Sequence, residues 1–434
     1  MQRMRVAVVG GGLGGLTAAA LLARGGCEVT LYERSKHLGG RARTTEVEGF
    51  RFNLGPHALY RAGAALRVLA RLGVKPTGGI PAQAGSHALL AGRLHTLPRG
   101  AVTLMTTDVL SLAGKLEVAK LLAGLARIDT RSLGALSLRE WLETRLTRKD
   151  GRALLAALIR VSTYCADMDA LSAGAALKQL QCATAASVLY VDGGWSTLVD
   201  AVERVGREAG ARLELSARVA AVALQEGGKR VEGVRLAGGT VHRADAVVLA
   251  GSPADVAALL PGDAVLAREA REAVPIQAAT LELGLSVLPR PEALFALGLD
   301  GPWYASVHSA SAKLAPAGSA MVHVAKYLGG ADTAASEAEL EAVMDVLQPG
   351  WRAKVVARRF RPSLIVSAGL PCAANGGLLG RPAVEVPHVA GLYRVGDWVG
   401  AEGMLADASL ASAEAVWQAL MRRTRTSQRR AAGA

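Results

Sequence analysis

The sequence predicts an α/β protein that combines a Rossmann-like nucleotide-binding domain with a mixed α+β domain. The uncharged, β-branched segment at residues 6–9 is typical of a buried parallel strand, and the Ala- and Leu-rich segment after residue 15 is typical of a helix. A glycine-rich turn separates the two, which is the order that nucleotide-binding domains use. The chain has 434 residues, enough for two domains.

Within this first unit, Gly10, Gly12 and Gly15 match the pattern G-x-G-x-x-G. The first glycine permits a tight turn, the second lets the backbone approach a pyrophosphate, and the third allows the strand and helix to pack closely. Leu13 and Gly14 begin the helix, whose N-terminal N–H groups and dipole favour phosphate. These five residues are therefore predicted to bind the phosphates of a dinucleotide.

The second predicted strand ends at an acidic residue. Residues 29–32 form this strand, and Glu33 and Arg34 follow it. A carboxylate at this point accepts a hydrogen bond from a ribose 2′-OH and disfavours a 2′-phosphate, which argues against NADP. We therefore predict that Glu33 and Arg34 contact the nucleotide.

The segment after the second strand distinguishes between dinucleotides. Residues 38–43 are Leu-Gly-Gly-Arg-Ala-Arg. This stretch resembles the flavin amine oxidase, protoporphyrinogen oxidase and phytoene desaturase superfamily, and phytoene desaturase-like oxidoreductases are the nearest in character. The resemblance implies that the dinucleotide is FAD and that Gly40 and Arg41 contact it. A guanidinium at this position pairs with phosphate oxygens in a forked geometry.

A second segment resembles the loop that the superfamily brings to the flavin ring. Residues 49–60 are GFRFNLGPHALY. The resemblance implies that Gly55, Pro56 and His57 lie beside the isoalloxazine. Asn53 stands where an acidic residue is common in the family, so no acidic role is assigned there.

Two middle segments resemble the return of the chain into the FAD domain. Residues 190–198, YVDGGWSTL, are similar to the Gly-Gly segment before a return helix, and strands are predicted at 212–224 and 230–236 as a hairpin or small meander. The resemblance implies that Val219 meets the adenine through its backbone. Residues 244–251 are similar to the next buried strand of the same domain.

The C-terminal signature is a strand that ends in Gly396 and Asp397, followed by a loop and a helix that begins near Met404 and Leu405. By resemblance, Asp397 binds the ribityl hydroxyls, and the backbone at Met404 and Leu405 approaches the pyrimidine edge of the flavin. Reduced flavin carries negative charge at this edge, and a helix N-terminus offers N–H groups and a favourable dipole to it.

These segments divide the chain into a discontinuous FAD domain and a substrate domain with a helical lid. A basic, disordered tail is predicted to follow them. The predicted limits are 1–65, 190–252 and 386–422 for the FAD domain, 66–189 and 253–385 for the substrate domain, and 423–434 for the tail.

Composition limits the function classes. Hydrophobic residues make up 51% of the chain and charged residues 20%, which indicates a large buried core. The net charge is +13, but the arginines are dispersed and no aromatic-rich basic platform accompanies them, so nucleic acid is not expected as a partner. The four cysteines are widely spaced and form no C-x-x-C pair, which favours a reducing compartment and predicts no metal site.

The membrane is a possible second partner. The uncharged run at residues 6–23 is explained by the strand, turn and helix, so neither a signal peptide nor a membrane span is predicted. Residues 105–128 are predicted as an amphipathic helix with lysines, which either dips into a membrane interface or packs on a core. We therefore predict a cytoplasmic protein, and peripheral contact with the membrane stays open.

The predicted reaction is desaturation or dehydrogenation of an apolar substrate, isoprenoid, polyketide or lipid-like, by hydride transfer to flavin N5. Strands at 278–285 and 320–328 are expected to roof the flavin with apolar side chains. The first of them lacks the lysine that an amine-oxidising relative places near N5; Lys326 is a candidate substitute, and Trp398 a candidate cage residue. No catalytic residue is assigned, because the cofactor supplies the redox chemistry.

Three alternatives stay open at this point. One is a protoporphyrinogen- or amine-type oxidase that produces peroxide, another is a non-redox, flavin-dependent isomerase, and a third is a flavin-carrying protein without catalysis. Oxygen or a quinone is the expected electron acceptor for the redox reactions.

Overall fold

The computed structural model describes the backbone of residues 3–432 and the side chains through Arg423. The helices are α1 (Leu13–Arg24), α2 (Ala64–Arg71), α3 (Ala101–Thr106), α4 (Leu112–Gly124), α5 (Leu138–Arg145), α6 (Lys149–Thr163), α7 (Ala173–Ala186), α8 (Ser196–Glu208), α9 (Pro253–Ala258), α10 (Ala264–Glu272), α11 (Glu337–Leu347) and α12 (Leu405–Ala432).

The strands are β1 (Arg5–Val9), β2 (Glu28–Tyr32), β3 (Thr45–Val47), β4 (Phe50–Phe52), β5 (Leu59–Tyr60), β6 (Gly78–Gly79), β7 (Ser86–Leu90), β8 (Arg93–Thr96), β9 (Val188–Val191), β10 (Arg212–Glu214), β11 (Val219–Leu224), β12 (Val231–Leu236), β13 (Val241–Arg243), β14 (Ala246–Leu249), β15 (Ile276–Leu285), β16 (Phe295–Gly298), β17 (Trp303–Val307), β18 (Ala320–Leu328), β19 (Val355–Ser367) and β20 (Leu392–Arg394).

A parallel sheet forms the nucleotide-binding half of the protein. Its order is β10-β2-β1-β14-β20, and every neighbouring pair runs parallel. Helices α1, α8 and α12 pack on one face, and the small antiparallel sheet β11-β12-β13 covers the other. Both faces are buried, which explains why β1 and β14 are continuous apolar runs instead of alternating ones. The predicted α/β fold is confirmed.

The second half is built on a large, mostly antiparallel sheet. Its order is β19-β15-β18-β17-β16-β7-β8, with β16 and β7 the parallel pair. One face packs on α11 through alternate apolar side chains of β15, β17 and β18. The other face carries the intervening side chains of the same strands. Because successive side chains of a strand point to opposite faces, this alternation determines which residues face the nucleotide-binding half.

The structure corrects one predicted helix and one predicted hairpin. The helix predicted at 105–128 is broken at residues 107–111, where Ser111 accepts a hydrogen bond from the Gly114 N–H and caps α4. Residues 212–214 join the parallel sheet as β10, so only β11 and β12 form the predicted hairpin.

The tail predicted at 423–434 also differs, because the backbone of α12 stays helical through Ala432. Arginine and alanine make up most of this stretch, and both favour helix, a propensity that the prediction from charge alone left out. Residues 433 and 434 lie outside the described part of the chain. Of the helices that the structure describes, none is long and apolar enough to cross a membrane.

Candidate functional site

The glycine-rich loop joins β1 to α1 at the carboxyl edge of the parallel sheet. Gly10 has a φ of +113°, and a Cβ there would overlap the carbonyl oxygen of Ala250. A Cβ on Gly15 would overlap the carbonyl oxygen of Gly10 and lie 2.9 Å from the Ala250 Cβ. At Gly12, by contrast, a Cβ would meet nothing within 4 Å. The fold therefore requires the outer two glycines, and the middle one leaves room for a ligand.

Glu33 lies against this loop. Its carboxylate accepts hydrogen bonds from the Gly11 N–H at 2.6 Å and from the Ser35 N–H at 2.7 Å. These contacts hold it beside the loop, where the sequence predicted a ribose-binding acid. Arg34 lies farther out and forms an exposed ion pair with Asp255 at 3.5 Å. Contact of either residue with the nucleotide stays a prediction.

Arg41 and Asp397 pair with each other, although 356 residues separate them. The Arg41 guanidinium donates to the Asp397 carboxylate at 2.6 Å and to the Val366 carbonyl at 2.9 Å. Asp397 is buried and also accepts from the Ala368 N–H at 3.2 Å. Sequence reasoning assigned the two side chains separately, to phosphate and to ribityl hydroxyls. It did not foresee that both lie at one place beside Gly40.

The predicted ring loop lies between the two halves of the molecule. Gly55 has a φ of +83°, and a Cβ there would approach Thr280 of β15 and Leu364 of β19 to 3.3 Å. The Pro56 carbonyl accepts a hydrogen bond from the Tyr164 hydroxyl at 3.0 Å. The loop therefore brings its backbone directly under the substrate-domain sheet, and its contact with the flavin ring stays a prediction.

His57 ties this loop to the Arg41 segment. Its Nδ1 lies 2.9 Å from the Gly55 carbonyl oxygen and its Nε2 lies 3.1 Å from the Arg41 carbonyl oxygen. Its ring packs edge-on against Trp195. Burial disfavours the imidazolium and lowers the pKa of His57, so the ring is neutral near pH 7.

Asn53 has a structural role. Its side-chain oxygen accepts from the Trp195 N–H at 3.0 Å and from the Thr44 hydroxyl at 2.7 Å. It thus connects the ring loop to the Gly-Gly turn before α8. An amide oxygen serves this purpose as well as a carboxylate would, without adding a buried charge.

The remaining predicted contacts lie at the edges of the same region. Val219 begins β11 and is buried in the core beneath the parallel sheet. The Gly396 N–H donates to the Ser412 hydroxyl at 3.1 Å, which fixes the turn before Asp397. Met404 is buried, and Leu405 begins α12 with a φ of +55°. A leucine in the left-handed region is strained, and such strain is concentrated at ligand-binding sites.

Asp407, in the first turn of α12, was missed by the sequence analysis. It is buried and accepts a hydrogen bond from the Ala65 N–H at 2.7 Å. Burial raises its pKa to about 7, because the carboxylate loses its hydration. In the unfolded chain an aspartate titrates near ~3.9. The contribution of Asp407 to stability is therefore most favourable below that value and is lost as the pH rises toward 7.

We expect Asp407→Asn to stabilise the protein by about 2 kcal/mol at about pH 8, because the amide keeps an acceptor for Ala65 and carries no charge. At about pH 4 the gain should vanish, since the wild-type carboxyl is then protonated in the folded state. Chemical unfolding at the two pH values measures the difference. A pH-independent effect of the substitution would contradict the assigned ionisation.

The substrate-domain face above the ring loop is not apolar, so the predicted apolar roof is wrong. The alternate residues of β15, β17 and β18 on this face include buried polar side chains. They are Thr280, Glu282, Tyr304, Ser306, His323 and Tyr327. The strands looked apolar in sequence because only every second residue is polar. A glutamate and a histidine inside otherwise uncharged strands were the available signal.

Two candidate residues for amine oxidation lie elsewhere. The Lys326 ammonium points to the opposite face of the sheet, where it pairs with Glu339 at 2.8 Å and Asp332 at 3.4 Å. Trp398 is buried and its indole N–H donates to the Gly251 carbonyl at 2.9 Å. Neither side chain is placed to act on a substrate at the ring loop.

The loop, the Glu33 carboxylate and the open space at Gly12 together have the geometry of a dinucleotide-binding protein. Residues 13–365 match the family described as flavin containing amine oxidoreductase. The chain belongs to this family, and its cofactor is FAD. The predicted superfamily and cofactor are confirmed.

Similarity to curated relatives is local. The chain is 46% identical over 59 residues to a 4,4'-diaponeurosporene oxygenase of Staphylococcus haemolyticus, which covers 14% of this chain and 12% of the relative. It is 48% identical over 71 residues to a carotenoid 3,4-desaturase of Haloarcula japonica, which covers 16% and 14%. The matched segment is thus less than a sixth of either relative.

Similarity to solved structures covers nearly the whole chain. An oxidoreductase from Methanosarcina mazei has a TM-score of 0.75 at 19% identity and covers 96% of this chain and 100% of its own. Putrescine oxidase bound to putrescine has a TM-score of 0.70 at 17% identity and covers 97% and 99%. These structures establish the fold.

Proposed function

We propose that the protein is an FAD-dependent oxidoreductase that dehydrogenates an apolar, isoprenoid or similarly lipid-like substrate to an alkene. The observation that carries this proposal is the sheet face above Gly55. It is buried and carries the rings of Tyr304 and Tyr327 among its polar groups, and Lys326, the candidate substitute for the lysine of amine-oxidising relatives, points away from it. The local similarity to a carotenoid desaturase and a diaponeurosporene oxygenase supports the same substrate class.

The residues that would hold FAD belong to the three segments proposed as one domain. The parallel sheet takes strands from each segment, which supports that division. The Gly10–Gly15 loop and the start of α1 would bind the pyrophosphate, and Glu33 the adenosine ribose. Arg41 would turn from Asp397 toward phosphate and leave that carboxylate to the ribityl hydroxyls.

When bound, FAD supplies the hydride acceptor of the reaction. The ring loop would present its backbone to the isoalloxazine, with the neutral His57 behind it. The first turn of α12 would direct N–H groups to the pyrimidine edge, where its dipole favours negative charge. The buried sheet face above Gly55 would exclude water from the substrate side. Oxygen or a quinone would then reoxidise the cofactor.

The test begins with the visible spectrum of the purified protein and the mass of any released cofactor. The FAD-loaded protein is then mixed with candidate isoprenoids without oxygen, and loss of the oxidised flavin absorption is followed. We expect bleaching with an apolar isoprenoid and a product lighter by two hydrogens. Turnover of a polar amine alone, with release of peroxide, would replace this function by amine oxidation, and a product of unchanged mass would indicate an isomerase.

We further propose that α3 and α4 contact a membrane surface. Four apolar side chains there, Val102, Met105, Leu112 and Leu116, are between 65% and 76% exposed. Lys120 and Arg127 are exposed on the same segment and would favour anionic lipid. Helix α4 packs on α6, and Tyr164, directly after α6, contacts the ring loop. An apolar substrate could thus pass from the bilayer to the site.

Replacing Met105, Leu112 and Leu116 by serine should weaken binding to anionic vesicles by at least about tenfold, because each of these side chains would contribute about 1 kcal/mol when the membrane buries it. Co-sedimentation with vesicles measures the change. Val356→Ser is the matched control, since Val356 is also exposed but lies on β19. Equal vesicle binding by the triple variant and the control would refute the contact.

A further inference from the structure

A buried polar cluster lies on the sheet face above the ring loop, and the proposed reaction as described does not use it. We define the polar cluster by six side chains that are at most 3% exposed, namely Thr280, Glu282, Tyr304, His308, His323 and Tyr327. Three strands and the turn after β17 contribute them. Burying this many polar groups in one place is costly unless each has a partner.

The cluster borders the ring loop at two points. Thr280 lies next to Gly55, where an added Cβ would approach its methyl group to 3.3 Å. Tyr327 packs edge-on against Tyr164, with ring centroids 5.7 Å apart, and the Tyr164 hydroxyl donates to the Pro56 carbonyl. The cluster therefore lies directly against the loop that is predicted to contact the flavin ring.

On one side of the cluster, charged side chains pair with one another. Glu282 accepts hydrogen bonds from Arg359 at 2.7 Å and from Arg361 at 3.0 Å. Its other oxygen lies 3.4 Å from the His323 Nδ1. A carboxylate at Nδ1 favours the proton on that nitrogen, which leaves the His323 Nε2 as a hydrogen-bond acceptor.

A second histidine is held by tyrosines. The His308 Nε2 lies 2.8 Å from the Tyr304 hydroxyl, and its ring stacks on Tyr190 at 3.9 Å. Its centroid is 4.3 Å from that of His323. Burial and the neighbouring histidines lower the pKa of His308 well below its usual value, so its ring stays neutral.

The other side of the cluster has no partners. Besides Glu282 Oε1 and the His323 Nδ1 that faces it, four buried atoms of the cluster make no hydrogen bond within the described residues: Thr280 Oγ1, Tyr327 Oη, His308 Nδ1 and His323 Nε2. Together they include hydroxyl donors and an imidazole acceptor, which is what a hydroxyl or carbonyl group requires. A hydrocarbon would leave all four unsatisfied.

We propose that the polar cluster is a substrate subsite that binds an oxygen function, a hydroxyl or a carbonyl, on an otherwise apolar molecule. This inference rests on the proposed function and narrows its substrate class to apolar molecules that carry an oxygen function. A hydroxyl donates to the His323 Nε2 and accepts from Thr280 or Tyr327. The ring loop then holds the carbon atoms next to that oxygen at the flavin.

The test compares two ligands that differ by one oxygen. The FAD-loaded full-length protein is titrated with geranylgeraniol and with the hydrocarbon of the same skeleton, and the shift of the flavin absorption bands reports binding. We expect the alcohol to bind about tenfold more tightly, the effect of a buried hydrogen bond that would otherwise be unmade. Equal binding of the two compounds, or binding of neither, would overturn the inference.

Two variants test the subsite itself. Thr280→Val with Tyr327→Phe removes two unpartnered hydroxyls and keeps the shape, so the preference for the alcohol should disappear. Thr107→Val is the matched control, because the Thr107 hydroxyl is buried but donates to the Thr96 carbonyl far from the loop. Retention of the preference in the double variant would exclude these hydroxyls as its source and overturn the proposal.

Thermal unfolding gives a readout that needs no ligand. Thr280→Val should leave the midpoint unchanged or raise it, whereas Thr107→Val should lower it by a few degrees, because only the latter loses a hydrogen bond. A clear loss of stability in Thr280→Val would show that this hydroxyl is already satisfied inside the protein, contrary to the subsite. Failure of the wild type to bind FAD would refute the proposed function instead, and the two results are distinguishable.

Discussion

Replacing Gly12 with alanine should weaken FAD binding by at least about hundredfold and leave the apoprotein folded. In the protein alone a Cβ at this position meets nothing within 4 Å, and the backbone is in an extended conformation that alanine adopts without strain. The methyl group would instead occupy the space that the pyrophosphate needs, so the loss falls on the ligand. Because alanine is a poorer N-cap than glycine, the unfolding free energy should fall by no more than about 1 kcal/mol.

Gly15→Ala should differ from Gly12→Ala in the same loop. Its methyl group would overlap the Gly10 carbonyl oxygen, so β1 and α1 must separate and the unfolding free energy should fall by about 3 kcal/mol. Gly124→Ala, at the end of α4, is the control, which should leave FAD binding unchanged and raise the unfolding free energy by no more than about 1 kcal/mol. Titration with FAD and chemical unfolding of the apoproteins distinguish the three variants. Wild-type affinity in Gly12→Ala would refute the placement of the pyrophosphate.

Glu282→Gln should lower the unfolding free energy by about 3 kcal/mol at neutral pH. The substitution keeps the shape of the side chain and removes the negative charge to which both Arg359 and Arg361 donate hydrogen bonds. Glu282 is fully buried, whereas the arginines are partly exposed, so the cost is that of leaving guanidinium groups without a counter-ion at the edge of the core.

Glu341→Gln is the matched control. Glu341 also pairs with two arginines, Arg352 and Arg358, but on the surface beside α11. Water screens those pairs, so the substitution should cost less than about 1 kcal/mol. Urea unfolding of both variants measures the contrast. Equal losses of unfolding free energy in the two variants would contradict the view that burial makes the Glu282 ion pairs more stabilising than the surface pairs.

The effect of Glu282 should depend on pH in a defined direction. Burial alone raises the pKa of its carboxyl, but His323 and Arg359 lower it by more, so the pKa in the folded protein lies below its usual range. In the unfolded chain a glutamate titrates near ~4.3. The stabilisation by Glu282 is therefore fully present above that pH and is lost as the pH falls through the folded-state pKa. The difference between wild type and Glu282→Gln should shrink in acid.

Local patterns sufficed to predict the nucleotide-binding unit. The turn at Gly10, the close packing at Gly15 and the position of Glu33 after β2 follow from residues that are near one another in the chain. Their spacing along one strand, turn and helix carries the information. The parallel sheet also followed, because residues 6–9 of β1 and all of β14 are apolar, which a strand buried on both faces explains.

The substrate side could not be predicted in this way. Two polar residues spaced along an apolar strand do not reveal which face of the sheet will meet the cofactor, and so Glu282 and His323 were taken as parts of an apolar roof. Lys326 was a candidate for the amine-oxidising lysine for the same reason. In the structure, the register of β18 with β15 places its side chain on the sheet face that packs on α11. A register fixes the face of every side chain on a strand, and the pairing of distant strands sets the register.

The sequence by itself thus determined the class of cofactor and predicted the elements that would bind it, because the residues concerned lie within short, contiguous segments. The tertiary structure alone decided the pairing of Arg41 with Asp397, the strained start of α12 at Leu405 and the polar cluster above Gly55. The pairing and the cluster each join residues far apart in the chain. Their proximity follows from the packing of two sheets against one loop, which no local spacing encodes.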